Sequence, residues 1–246
     1  MKYVVLVLVL LWCTTASAVW LFDATDTVSV ADADVLTMGS AGWTVAGWVK
    51  SSGASAASRA IFTWGDPATQ HHAILSIQSS ASGSSLYLDW RGSHNTLNLT
   101  MTGDTAIGAS TEWHHVAIVR NADLIYMYVD GVEEEVSYYS VLYHWSCDAT
   151  TPWVWGSTTF DSQLADWSKW SRTISVGESS ELSALVAGGL PENASGGAPA
   201  WQLDMYDGVD CQSGDLALTN SGVTASTTGH PVSRAAPPSS VLILVW

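Results

Sequence analysis

Short runs rich in β-branched and aromatic residues recur along the middle of the chain, each closed by a cluster of Gly, Ser, Asp or Asn. The clearest runs cover 44–50, 59–64, 73–78, 85–91, 96–101, 113–120 and 124–130. In Leu124-Ile125-Tyr126-Met127-Tyr128-Val129 the aliphatic and tyrosine positions alternate, which is the period of a strand with two different faces. Asp130-Gly131 follows at once and predicts a type I′ hairpin turn, with a return strand over 132–136. Many strands at this spacing, without interleaved helices, predict an all-β antiparallel sandwich rather than a parallel βαβ sheet.

One helix interrupts the pattern, over 175–187. Ser175-Val176-Gly177-Glu178 reads as a capping box, and Leu182, Leu185 and Val186 supply an apolar stripe. Gly188-Gly189 and then Pro191 stop it. Further short strands are expected from Trp201 to about Val223, followed by a Pro/Ser-rich stretch and a terminal apolar hexamer over 241–246. Six residues do not cross a bilayer. The hexamer is either a last strand on a sheet edge or an exposed tail.

The N-terminus carries an address. Lys2 supplies a positive charge, 4–12 is an unbroken apolar run, and Thr14-Thr15-Ala16-Ser17-Ala18 ends in a small-x-small pattern. Residues 1–18 are therefore expected to be a cleaved signal peptide, leaving a domain over 19–246 that is secreted or held at the cell surface, with no transmembrane span. The net charge of −15 repels phosphate backbones, and no basic stripe offsets it, which excludes nucleic acid as a partner. Cleavage would remove Cys13 and leave Cys147 and Cys211, which form a disulfide in an oxidising compartment or remain two buried thiols.

Four segments, in order, resemble the laminin-G-like, concanavalin A-like jelly rolls of bacterial and viral surface proteins. Phe22-Asp23-Ala24-Thr25-Asp26-Thr27-Val28 is similar to the family's opening strand pair, with Ala24 where a Gly is usual. Trp43-Thr44-Val45-Ala46-Gly47-Trp48-Val49-Lys50 resembles its Thr-hydrophobic-x-x-Trp-Val strand. Trp113-His114-His115-Val116-Ala117, paired with Tyr128-Val129-Asp130-Gly131-Val132, is the most specific match. The stretch 160–182 resembles the last core strand and its capped helix. The resemblance covers 20–190, leaving 191–246 as further strands and a tail, and it implies a two-sheet jelly-roll sandwich with one short helix. It also allows a structural calcium at a sheet rim, held by Asp26 and a late-strand acid. Ala165 occupies that late position and Asp166 the next one.

Chemistry is sparse. Glycosidases of this fold place acids alternately on one strand face, and no Glu-x-Asp-x-x-Glu pattern exists here. Glu133-Glu134-Glu135 reads as a solvated edge beside a turn. His71-His72 and His114-His115 are adjacent pairs whose side chains point to opposite strand faces, so neither chelates a metal from one side. His115 is expected to be a hydrogen-bonded structural histidine. Of fourteen tryptophans, Trp43, Trp48, Trp113 and Trp167 fall in strand patterns that suggest core. The aromatic insertion 138–145 and the Trp153/Trp155 pair are different. Tyr139, Tyr143, Trp145, Trp153 and Trp155 are candidate contacts for a glycan or a surface protein, the alternative being that the insertion packs over a sheet edge. The expected function is a noncatalytic recognition or adhesion module. The alternative is a structural extracellular or virion component that uses the jelly roll as an assembly block.

Overall fold

The computed structural model describes residues 19–226 except 24, 31–37, 39–40, 54–57, 67–70, 81–82, 92–97, 109–110, 123, 136, 140–151, 158, 190, 205–209 and 212–217. Two antiparallel sheets form a sandwich. The first runs β10 (Val132–Glu133), β9 (Leu124–Val129), β8 (Trp113–Asn121), β3 (Trp43–Ser51), β13 (Ser162–Trp170), β1 (Val19–Phe22) and β17 (Thr224–Ser226). On this sheet β14 (Trp201–Asp204) also pairs with β13, and β15 (Asp210–Cys211) with β14. The second runs β11 (Ser137–Tyr139), β7 (Asn98–Thr102), β6 (Gly83–Arg91), β5 (His71–Ser80), β4 (Arg59–Asp66), β12 (Trp153–Trp155), β2 (Thr27–Val30) and β16 (Leu218–Ser221). Neighbours such as β3 and β13, or β2 and β12, are far apart in sequence, so the chain crosses repeatedly between the sheets. This is the expected jelly roll.

Period-two patterning fills the space between the sheets. Leu86, Leu88 and Trp90 of β6 turn inward, as do Ala73, Leu75 and Ile77 of β5 and Val116 and Ile118 of β8. Tryptophans dominate the middle. Trp43 stacks on Trp90 at 5.2 Å, Trp90 tilts against Trp64, and Trp64 leans on Trp153. Trp153 touches Trp155, which stacks on Trp201 at 4.8 Å. Each such ring removes roughly 150–250 Å² from water, and ring pairs add about 0.5–1.5 kcal/mol beyond that burial.

A break in β13 shapes the first sheet. The register shifts between Ala165 and Ser168, where Asp166 takes a left-handed φ of 52°. Before the break β13 pairs with β1, and after it with β14, while β3 remains its partner on the other edge. The bulge drops Trp167 into the core, with its Nε1 donating to the Trp48 carbonyl at 3.2 Å. Gly47 faces that indole, and a Cβ there would lie 2.5 Å from Trp167 Cδ2.

The helix is shorter than expected: α1 spans Glu181–Val186 and its cap is Ser180, whose side chain accepts from the Ser183 N–H. Ser175 and Glu178 are not a capping box, because Gly177 (φ 104°) and Ser179 (φ 57°) are left-handed and leave no helical first turn there. The reciprocal pair is Ser175 with Glu181. The Ser175 N–H donates to Glu181 Oε2 and the Glu181 N–H to Ser175 Oγ, both at 3.0 Å. Arg172 adds a bidentate contact to Glu181 at 2.8 and 2.6 Å. That guanidinium, against the effect of burial and helped by the Ser175 and Gly196 N–H groups, holds the Glu181 carboxyl at about 2. Gly188 and Gly189 close the helix by donating to the Leu185 and Ala184 carbonyls, a Schellman pattern. Leu182 and Leu185 bury against Ala46, Ala117, Val119, Tyr128 and Trp170 on the outward face of the first sheet. Among the described residues no helix is long and apolar enough to cross a membrane.

The hairpin turn forms as expected, with Asp130 at φ 50° and Gly131 at φ 80°. Asp130 also ties the strand together, its Oδ1 accepting the His115 N–H and its Oδ2 meeting His114 Nδ1, both at 2.8 Å. The acid run after it departs from the expectation. Glu133 and Glu135 are exposed, but Glu134 is buried. The return strand ends at Glu133, which turns Glu134 inward onto the 103–105 loop. There its Oε2 accepts the Asp104 and Thr105 N–H groups at 2.9 Å, and its Oε1 the Thr105 hydroxyl at 2.6 Å.

Two outcomes follow for stability. Gly131→Val, a β-branched residue in a left-handed turn, should cost more than about 1 kcal/mol in urea denaturation; no change would mean that the turn is not left-handed. Glu134→Ala should cost about 1–3 kcal/mol by leaving two loop N–H groups without their acceptor, whereas the same change at Glu135 should be neutral.

Candidate functional site

The sequence-predicted contacts separate. Trp153 and Trp155 are fully buried, each at 0% exposure, and carry the core stack described above. They offer no face to a ligand, which corrects their assignment as contact residues. The reason is their alternation in β12, whose outward residue is Val154. Tyr143 and Trp145 lie outside the described residues. Tyr139 ends β11 at the edge of the second sheet, its backbone opposite Thr100 of β7. Cys147 also lies outside the described residues, and of Cys211 the backbone pairing with Leu203 is described. Trp43 and Trp167 are core, while Trp48 and Trp113 are half-buried.

The calcium pair does not assemble. Asp26 follows β1, where its Oδ2 accepts the Asp23 N–H. Asp166 sits four residues beyond Ser162, the partner of Phe22, and so on the order of 13 Å along β13 from that end. Among the described residues no group of three or more His, Cys, Asp or Glu could hold a metal ion. The resemblance's rim site is therefore not built by these residues.

What the fold does bring together lies on the outward face of the second sheet. Inward Leu86, Leu88 and Trp90 leave Tyr87, Asp89 and Arg91 of β6 facing out, all half-buried. Register places His72 opposite Arg91, Ser76 opposite Tyr87, and Thr100 and Thr102 opposite Asp89 and Tyr87. Directly opposed side chains sit about 4.5–5.5 Å apart. Arg91 grips Asp89 with both Nε and Nη2, each at 3.2 Å. His72 Nε2 approaches the same carboxylate at 3.5 Å from a nearly buried position. Burial pushes the Asp89 carboxyl up, but the hydrogen bonds from His72 and Arg91 outweigh it, and the net shift is downward. Tyr87 is pushed up by burial and then by the Asp89 charge, so its phenol stays a donor. The result is a fixed anion, a fixed cation, a phenol and flanking hydroxyls on one rigid face. A signal for it existed in the sequence: Leu86-Tyr87-Leu88-Asp89-Trp90-Arg91 alternates apolar with functional residues.

A second constellation lies under α1. Trp48, His115, Asp166, Trp170, Leu185 and Pro191 enclose a cavity of about 10 Å³, space for a single water. His115 packs edge-on against Trp48 at 5.1 Å, and its buried Nδ1 has no hydrogen-bond partner among the described residues, so the expected hydrogen bond is not made at that nitrogen there. Burial drives its pKa down to about 4, against the pull of Asp130 and Asp166. The space is too small for an organic ligand.

The crossovers, the paired sheets and the capping helix define a sandwich of the lectin-like class. The chain belongs to the laminin-G-like family of the concanavalin A-like lectin/glucanases superfamily, whose family model matches residues 22–178. No curated protein sequence matches it. Among solved structures, a native heptameric SAP-like pentraxin from Limulus polyphemus is similar with a TM-score of 0.62 and 13% identity, over 89% of this chain and 99% of the pentraxin. The receptor binding domain of botulinum neurotoxin D is similar with a TM-score of 0.54 and 15% identity. That match covers 70% of this chain and 44% of the toxin chain, so this protein corresponds to less than half of it. At these identities the likeness is one of fold.

His115 makes stability depend on pH. Its folded pKa is about 4 against 6.5 for the free side chain, so the unfolded chain binds the proton first as pH falls. Stability from this group is complete above pH 6.5 and is lost progressively down to pH 4. Urea midpoints measured across that window should fall for the parent protein. His115→Phe should flatten this part of the curve; an unchanged slope would contradict a neutral buried imidazole.

Proposed function

We propose that the protein is a noncatalytic recognition module, exported through its N-terminal signal, that binds a glycan on the outward face of its second sheet. The observation that carries this reading is the Tyr87–Asp89–Arg91 row with His72 beside it. Sugars are recognised by planar side chains against the ring face and by charged, prearranged groups against the hydroxyls, and this row supplies both. Family membership supports the reading, as does a fold shared with a pentraxin and with a toxin's receptor binding domain. The state of Asp89 suits a hydrogen-bond acceptor for sugar hydroxyls. Its carboxyl is gripped by Arg91 and shifted toward the ionised form, which suits a permanent acceptor and not a proton donor. A second reading, the assembly block, draws on Leu124, Val132 and Val176, the large apolar side chains exposed among the described residues.

A glycan array, followed by titration of the strongest hit, tests the proposal. Tyr87→Ala and Asp89→Asn should each weaken binding by about 2 kcal/mol, roughly thirty-fold, while circular dichroism shows both still folded. Undiminished binding by both variants would sink the sheet-face site. Absence of any hit, with an oligomer found by light scattering, would favour the assembly block.

A further inference from the structure

A larger cavity opens at the far end of the first sheet, away from the Tyr87 face. Register sets Leu21 of β1, Gln163 of β13 and Lys50 of β3 in one row, because Leu21 pairs with Gln163 and Gln163 with Lys50. Directly opposed residues share a face, so the three side chains stand side by side. Just past the strand ends, Asp23 and Asp161 rise from the turns, while Phe22 turns its ring into the core. Together with neighbouring hydroxyls these residues line a cavity of about 240 Å³. That is below the roughly 300–1,000 Å³ of sites for drug-sized molecules and suits one sugar ring.

The base of this rim is built, not accidental. Ser51 is buried and donates to the Gly108 carbonyl at 3.0 Å. Arg59, 2% exposed, donates to the same carbonyl and feels the Asp161 charge. The charge pattern then becomes informative. The chain has eight Lys and Arg against twenty-three Asp and Glu, so cations have acids in excess to pair with. Arg91 and Arg172 do so. Lys50 shares its cavity with two carboxylates, yet has no ion pair or hydrogen bond among the described residues. The Asp23 and Asp161 carboxylates likewise accept no hydrogen bond there. One ammonium and two carboxylates therefore line a single cavity of sugar size.

We propose that this cavity is a second ligand site and that it takes a hexuronate. The sugar's carboxylate meets the Lys50 ammonium, its hydroxyls donate to Asp23 and Asp161 and engage the Gln163 amide, and its apolar ring edge lies on Leu21. A neutral hexose leaves Lys50 without an acceptor, and a phosphate or sulfate dianion meets twice the repulsion from the two carboxylates that a uronate's single charge meets.

Calorimetric titration of the full chain with D-galacturonate, D-galactose and glycine tests this. Saturable galacturonate binding is expected, at least ten-fold tighter than galactose and weakened by salt. Lys50→Gln should erase the preference and Lys50→Arg should keep it. Repeating the titration on Asp89→Asn, which disables the sheet face, separates the two sites: galacturonate binding persists there if the rim cavity holds it. Its loss on that background would place the uronate on the sheet face and overturn the proposal. So would equal affinity for galactose, tighter binding of glycine, no saturable uronate binding, or a Lys50→Gln protein that behaves as the parent.

Discussion

The contact on which this sandwich depends is the run of stacked and tilted indoles between its sheets. Trp43 and Trp201 come from the first sheet, and Trp90, Trp64, Trp153 and Trp155 from the second, so every ring contact in the run except Trp153–Trp155, within β12, joins two sheets or two strands. Rings of this size fix the sheet spacing and leave little freedom in register, because a one-residue slip would turn a whole strand's indoles into water. The arrangement carries a cost. Among the described residues the buried indole N–H groups of Trp43, Trp153 and Trp155 have no acceptor, and the ring contacts and burial must outweigh that loss.

Filling the interior with aromatics decides what each outward face can be. On the first sheet, the bulge at Asp166 and the short α1 close most of the outward surface around Trp170 and Tyr128. Among the described residues the strand-end rim near Lys50 stays open. On the second sheet the outward positions hold polar and charged side chains, and strong ladder pairing over β4 to β7 keeps them rigid. The surfaces on which the core has no claim include one sheet face and one rim.

Much of the architecture was legible in the sequence, and what escaped did so for identifiable reasons. Strand periods and the Asp130-Gly131 turn are local signals, and both were found. Trp153 and Trp155 misled because three residues are too few to reveal which face of a strand is buried. Glu134 looked like its exposed neighbours, since only the end of pairing at Glu133 turns it inward. Glu181, six residues from its Ser175 partner, lies outside the spacing by which caps are recognised. The sheet-face row needed His72 and Thr100 brought beside Asp89, and register between strands is not written in any single strand. Tyr143 and Trp145 stay with the aromatic insertion, outside the described residues.

The central claim is that the second sheet's outward face is the recognition surface. Amide hydrogen exchange, compared with and without a glycan selected by array, tests it most directly. The account expects added protection over Gly83–Arg91 and Asn98–Thr102, with the Trp153–Trp155 strand unchanged. Protection confined to the hairpin of Leu124–Val129 and its return strand, or to α1, with 83–102 unaltered, would contradict it.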